Sequence, residues 1–195
     1  MSFREKHLKN TRKQYMQKEE TVWYALRATY GRALDAKTIL DNDSIDNFIP
    51  QRYQICTTKK GHKERKLVPF LKDLIFVCTT SQKIKEAKAK IPFLLYITKK
   101  ENGSRKPVIV PETQMQQFIE VIETFNDQLI FLKPEEINLK QGIPVRVHGG
   151  SFDKREGVFL RVKGIRDRRV VIAIDGIGAI VLATIHPDFI EVINK

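Results

Sequence analysis

Four histidines, His7, His62, His148 and His186, and two cysteines, Cys56 and Cys78, are the residues of this 195-residue chain best suited to hold a metal or carry a nucleophile. No spacing that such chemistry needs connects them. There is no HExxH pair, no CxxC pair and no mixed Cys/His cluster, and the serines and carboxylates form neither a nucleophile elbow nor a recognised acid–base pair. Gly176-Ile-Gly178 has the spacing that starts a dinucleotide fingerprint, but strand-type residues follow where a helix would have to begin. The sequence therefore predicts no enzyme, no metal and no cofactor. What the side chains offer instead is positive charge: 35 Lys and Arg against 23 Asp and Glu give a net charge of +12. Such an imbalance favours polyanionic partners.

The charge is clustered. Lys59, Lys60, Lys63, Arg65 and Lys66 crowd one expected hairpin, and Lys99, Lys100, Arg105 and Lys106 crowd another. Both are candidates to hold phosphates of nucleic acid without reading bases, or else are solvated loops. No aromatic is interleaved with these charges in sequence, which speaks against a stacking platform for single strands. Arg166, Asp167, Arg168 and Arg169 make a further charged turn, read as a solvated hairpin tip or a contact to RNA or protein. No run of about 18 apolar residues exists to span a membrane. The N-terminus lacks the apolar core of a secretion signal, so a cytoplasmic protein with free thiols is expected.

The elements that must position these residues follow from periodicity. Residues 1–20 are polar and charged and read as a basic extension. TVWYALRA has the aromatic and β-branched start of a strand, and RALDAKTILDND places its apolar residues on one helical face. IDNFIPQRYQICTT gives two extended pieces broken at Pro50, and a basic loop at 59–66 then leads into LVPFLKDLIFVCTT, read as a central strand. SQKIKEAKAKIPF is a short helix with Ser81 as candidate N-cap, Asn102-Gly103 turns a hairpin, and a helix begins near Pro111 with Met115, Phe118, Ile119, Ile122 and Phe125 along one side. Residues 21–125 thus form an α+β domain, and 126–141 a linker that packs locally through Leu129, Phe131 and Leu132. Residues 142–195 hold five short strand runs, as in a small antiparallel barrel. In VRVHGGSFDKREG, Val145 and Val147 alternate with Arg146 and His148, and Gly149-Gly150 marks a reversal.

That last stretch, V-x-V-x-x-G-x-F-x-x-x-x-G at Val145, Val147, Gly150, Phe152 and Gly157, resembles the KOW motif of transcription and ribosomal proteins. WYALRATYG at 23–31 resembles the first strand and turn of the NGN domain of NusG-type elongation factors. Phe48-Ile49-Pro50, PFLKDLIFV at 69–77, IPFLLYI and the turn into PETQMQQF follow in that domain's order, so the resemblance covers about residues 21–194. The family usually carries Pro-Gly-Tyr in the PFLKDLIFV strand, where this chain has Lys72, Asp73 and Leu74. Among NusG-type proteins the chain is most similar to the UpxY-like antiterminators of capsular polysaccharide operons.

The resemblance implies an NGN-type antiparallel sheet with flanking helices, followed by an SH3-like KOW barrel. It implies an elongation or antitermination factor, expected to be monomeric, that grips the clamp helices of RNA polymerase with an apolar depression. Carried over by position, Tyr24, Phe70, Leu71 and Leu74 would line that depression, with Trp23 and Phe76 beneath it, although each is equally readable as core. Such a depression must be free of the chain's own side chains. Nascent RNA or non-template DNA, and a ribosomal protein or Rho at the KOW barrel, are the further implied partners. A KOW-containing RNA-binding or ribosome-associated protein is the alternative.

Overall fold

The computed structural model describes residues 20–125, 129–132, 142–149, 152–161, 168–174, 177–181 and 185–193. Residues 1–19 of the basic extension, Gly150, Arg166 and Asp167 lie outside the described residues. In the amino-terminal half, strand β1 (Val22–Ala28) is central, pairing antiparallel with β5 (Leu74–Thr79) on one side and with β6 (Leu94–Tyr96) and β9 (Ile109–Val110) on the other; β2 (Asp46–Phe48) extends the sheet beyond β5. Helices α1 (Ala33–Asn42), α2 (Ser81–Lys90) and α3 (Glu112–Phe125) complete this half.

Strand alternation divides the core into two layers. Tyr24, Leu26, Ile75 and Val77 point to the side covered by α1 and α2, where Ala33, Ala36, Leu40, Ile84 and Ala87 meet them. Trp23, Ala25, Leu74 and Phe76 point the other way, toward Met115, Phe118, Val121 and Ile122 of α3. Phe118 meets Phe76 and Phe48 edge-on, at centroid distances of 5.7 and 6.4 Å, a geometry that aligns ring edges with ring faces.

Two hairpins project as separate two-stranded ribbons: β3 (Gln51–Thr57) with β4 (Lys63–Pro69), and β7 (Thr98–Glu101) with β8 (Ser104–Pro107). The second turns at Asn102-Gly103, both with positive φ (49° and 81°), which suits this dipeptide. Three details correct the sequence reading. LVPFLKDLIFVCTT is not one strand, and Lys63 to Lys66 belong to β4 rather than to a loop. The break at 70–73 is fixed by backbone carbonyls turned to other tasks, since Lys72 O accepts from Ala33 N (3.2 Å) at the start of α1 and Asp73 O from Ala28 N (2.7 Å). The cap of α2 is Thr80, whose hydroxyl accepts from Lys83 N, and Ser81 is the first helical residue.

The carboxy-terminal half forms one six-stranded antiparallel sheet in the order β10-β14-β13-β12-β11-β15. Its strands are β10 (Ile130–Leu132), β11 (Ile143–Val147), β12 (Glu156–Arg161), β13 (Arg168–Ile174), β14 (Gly178–Val181) and β15 (Ile190–Val192). The five predicted runs all appear. The sixth strand, β10, comes from the segment read as linker and pairs with β14, burying Leu129 and Leu132. The chain does reverse after β11: Gly149 takes φ 74°, its N–H donates to the Asp153 carboxylate (2.6 Å), and Phe152 is buried.

Candidate functional site

Phe70 and Leu71 lie half-buried in the short break between β4 and β5, and Leu74 opens β5 at 2% exposure. All three belong to the α3-side layer with Trp23 and Phe76. Tyr24 does not join them. One residue along β1, it points through the sheet to the opposite layer, where its ring lies 5.9 Å from that of Tyr96. Strand alternation thus separates one of the four residues taken together from the sequence, and places Trp23 on the side of the other three.

The apolar face is not open, contrary to what the depression requires. Helix α3 fills part of it, and the carboxy-terminal sheet covers more: one continuous apolar cluster runs from Trp23, Leu74 and Phe76 to Val145, Val147, Phe152, Val170 and Ile172. Phe131 of β10 rests against Phe70, ring centroids 5.9 Å apart. The contact has a polar margin along one edge of α3. Gln114 donates to Ala173 O (2.5 Å), Gln117 donates to Glu156 O (2.7 Å), and Arg155 pairs with Glu120. That hydrogen bond from Arg155 holds the Glu120 carboxyl below its ordinary value. A cleft of about 560 Å³ opens beside these contacts, lined in part by Gln114, Gln117, Gly157 and Val171. The contact is therefore mixed, an apolar centre shared by the two halves with both glutamines reaching backbone carbonyls at its edge.

The basic residues sit on the two ribbons. Lys59 and Lys60 are at the tip of β3–β4, Lys63, Arg65 and Lys66 along β4, and Lys99, Lys100, Arg105 and Lys106 on β7–β8, all exposed. Lys66 is engaged by Glu64 (2.9 Å), which raises the lysine's pKa, and Lys106 by Glu101 (3.1 Å), which lowers the glutamate's. The absence of interleaved aromatics in sequence does not hold in space. Register sets Tyr53 opposite Leu67 and Ile55 opposite Arg65, and the Arg65 guanidinium lies 4.0 Å above the Tyr53 ring. Sequence order hid this, because cross-strand neighbours are a dozen residues apart.

Of the motif residues in the second half, Val145 and Val147 are buried on β11, and Gly157, second in β12, lies against the Val171 carbonyl, where a Cβ would come within 2.7 Å. These positions serve the sheet's own packing. Among the described residues no group of His, Cys, Asp and Glu is placed to hold a metal, and no helix is long and apolar enough to cross a membrane.

The family model described as "Transcription termination factor nusG" matches residues 21–119, just over half of the chain. The chain belongs to the NusG family. That family consists of non-enzymatic regulatory factors that generally bind RNA polymerase. A solved structure titled "Domain interaction in Thermotoga maritima NusG" aligns with 90% of this chain and 98% of its own, at 17% identity and a TM-score of 0.41. No curated protein matches the sequence.

Proposed function

We propose that this NusG-family chain is a transcription elongation and antitermination factor that binds the clamp helices of RNA polymerase through the apolar face holding Phe70, Leu71 and Leu74. The observation that carries the proposal is the composition of the cover over that face. The sheet of the carboxy-terminal half, the KOW domain in this reading, meets it through the shared apolar cluster, a ring contact at Phe70 and a polar margin on α3. Polymerase and the KOW domain then compete for one surface. A clamp-helix pair that binds only the uncovered state shifts the population toward it by the difference in affinity.

The released KOW domain is free to recruit a ribosomal protein or Rho. The lysines of the two ribbons would meet phosphates of nascent RNA or non-template DNA near the enzyme. The action is differential binding of the elongating state over the paused one, and no bond is made or broken. In the UpxY-like reading the targets are polysaccharide operons. In vitro transcription through a terminator placed behind candidate leader sequences tests this: added protein raises read-through, and unchanged read-through on every template counts against the proposal.

A further inference from the structure

Among the described residues, the β3–β4 ribbon carries large apolar side chains that join neither core layer. Tyr53, Ile55 and Leu67 are 42%, 69% and 46% exposed, and register places all three on one face with Lys63 and Arg65. Isolated two-stranded ribbons are marginal in water, and three large apolar side chains gathered on one mark a surface made for a partner. The charge on that face has one sign. Residues 51–69 contain six cations (Arg52, Lys59, Lys60, Lys63, Arg65, Lys66) and a single acid, Glu64. Glu64 points to the opposite face, where Lys66 engages it at 2.9 Å.

A partner for this face must bring negative charge and flat apolar surface together. Duplex nucleic acid brings the charge but stacks its bases inside. Single-stranded nucleic acid brings both, and the planar Arg65 guanidinium over the Tyr53 ring offers a base a flat surface to stack on. We infer that the Tyr53–Ile55–Leu67–Arg65 face of the β3–β4 ribbon is a base-stacking site for single-stranded nucleic acid, with the tip lysines Lys59 and Lys60 taking the phosphates. This deepens the phosphate-contact reading above and is independent of polymerase binding.

Fluorescence anisotropy of the full chain with labelled (dT)12, (rU)12 and a 12-base-pair DNA duplex tests it, titrated across salt. The expected result is tighter binding to single strands than to the duplex, with the two single strands separating DNA from RNA as the preferred form. Tyr53→Ala should weaken single-strand binding by roughly tenfold, while Tyr53→Phe retains it. Arg65→Lys keeps the charge and loses the plane, so affinity falls with the salt slope unchanged. Lys59→Ala with Lys60→Ala flattens the slope instead. Equal affinity for duplex, competition by inorganic polyphosphate as strong per charge as by oligonucleotide, or indifference to Tyr53→Ala would each overturn the stacking site while leaving electrostatic phosphate contact standing. No binding to any of the three probes would overturn both.

Discussion

Phe118 is fully buried and holds two rings edge-on, Phe76 from the centre of the sheet and Phe48 from its margin. Phe118→Ala removes the side chain that joins α3 to both strands, and should cost about 3–5 kcal/mol in denaturant-induced unfolding. Thr80 acts on a smaller scale: its hydroxyl satisfies one free N–H of α2, and Thr80→Ala should cost about 1 kcal/mol, with Ser81→Ala costing less. From sequence Ser81 and Thr80 are equally good caps, and which one takes the position depends on where β5 ends. The same limit governs Tyr24. Alternation shows that it and Trp23 face opposite ways, but which face meets α3 is set by long-range packing, which periodicity in one strand does not contain.

At the scale of elements, most strands and helices are legible because their signals are local. The three helices, the turn at Asn102-Gly103 and the five strand runs after Gly142 lie where period and turn residues place them. The two misread segments share a cause. The break at 70–73 exists because the Lys72 and Asp73 carbonyls accept hydrogen bonds from distant residues, and β10 is a strand only because β14 lies beside it. Gly178 makes that second pairing possible. At φ 153° a Cβ there would come within 2.6 Å of Leu132 O and 2.8 Å of the Phe131 ring. Gly178→Ala should therefore push β10 away from β14 and lift Phe131 from Phe70. Hydrogen exchange should show faster exchange at Ile130–Leu132 with β1 and β5 unchanged, and equal protection of β10 in the variant would count against this pairing.

For the whole molecule, the question is how the two halves come apart. Glu120 reports on it, because its carboxyl is held below the ordinary glutamate value by Arg155 across the contact. The sign follows from that direction. A depressed carboxyl stabilises the closed arrangement above the ordinary glutamate pKa, about 4.3, and the contribution disappears as pH falls through the lowered value. Donor–acceptor fluorescence between the halves should show closure weakening as pH falls below the ordinary glutamate range. Glu120→Gln should be more open at neutral pH and should lack that part of the acid response. The side-chain inventory of the apolar face was readable from the sequence, but its cover was not, because it depends on two sheets meeting more than fifty residues apart in the chain.

The most direct measurement is retention of the full chain by an immobilised clamp-helix fragment of RNA polymerase, compared among the wild type, Leu71→Asp and a Gln114→Ala/Gln117→Ala/Glu120→Ala variant. The proposal expects the wild type to be retained, the triple variant to be retained more strongly because its cover is loosened, and Leu71→Asp to be lost while its far-UV spectrum stays native. Equal retention of wild type and Leu71→Asp, or none in the loosened variant, would contradict it.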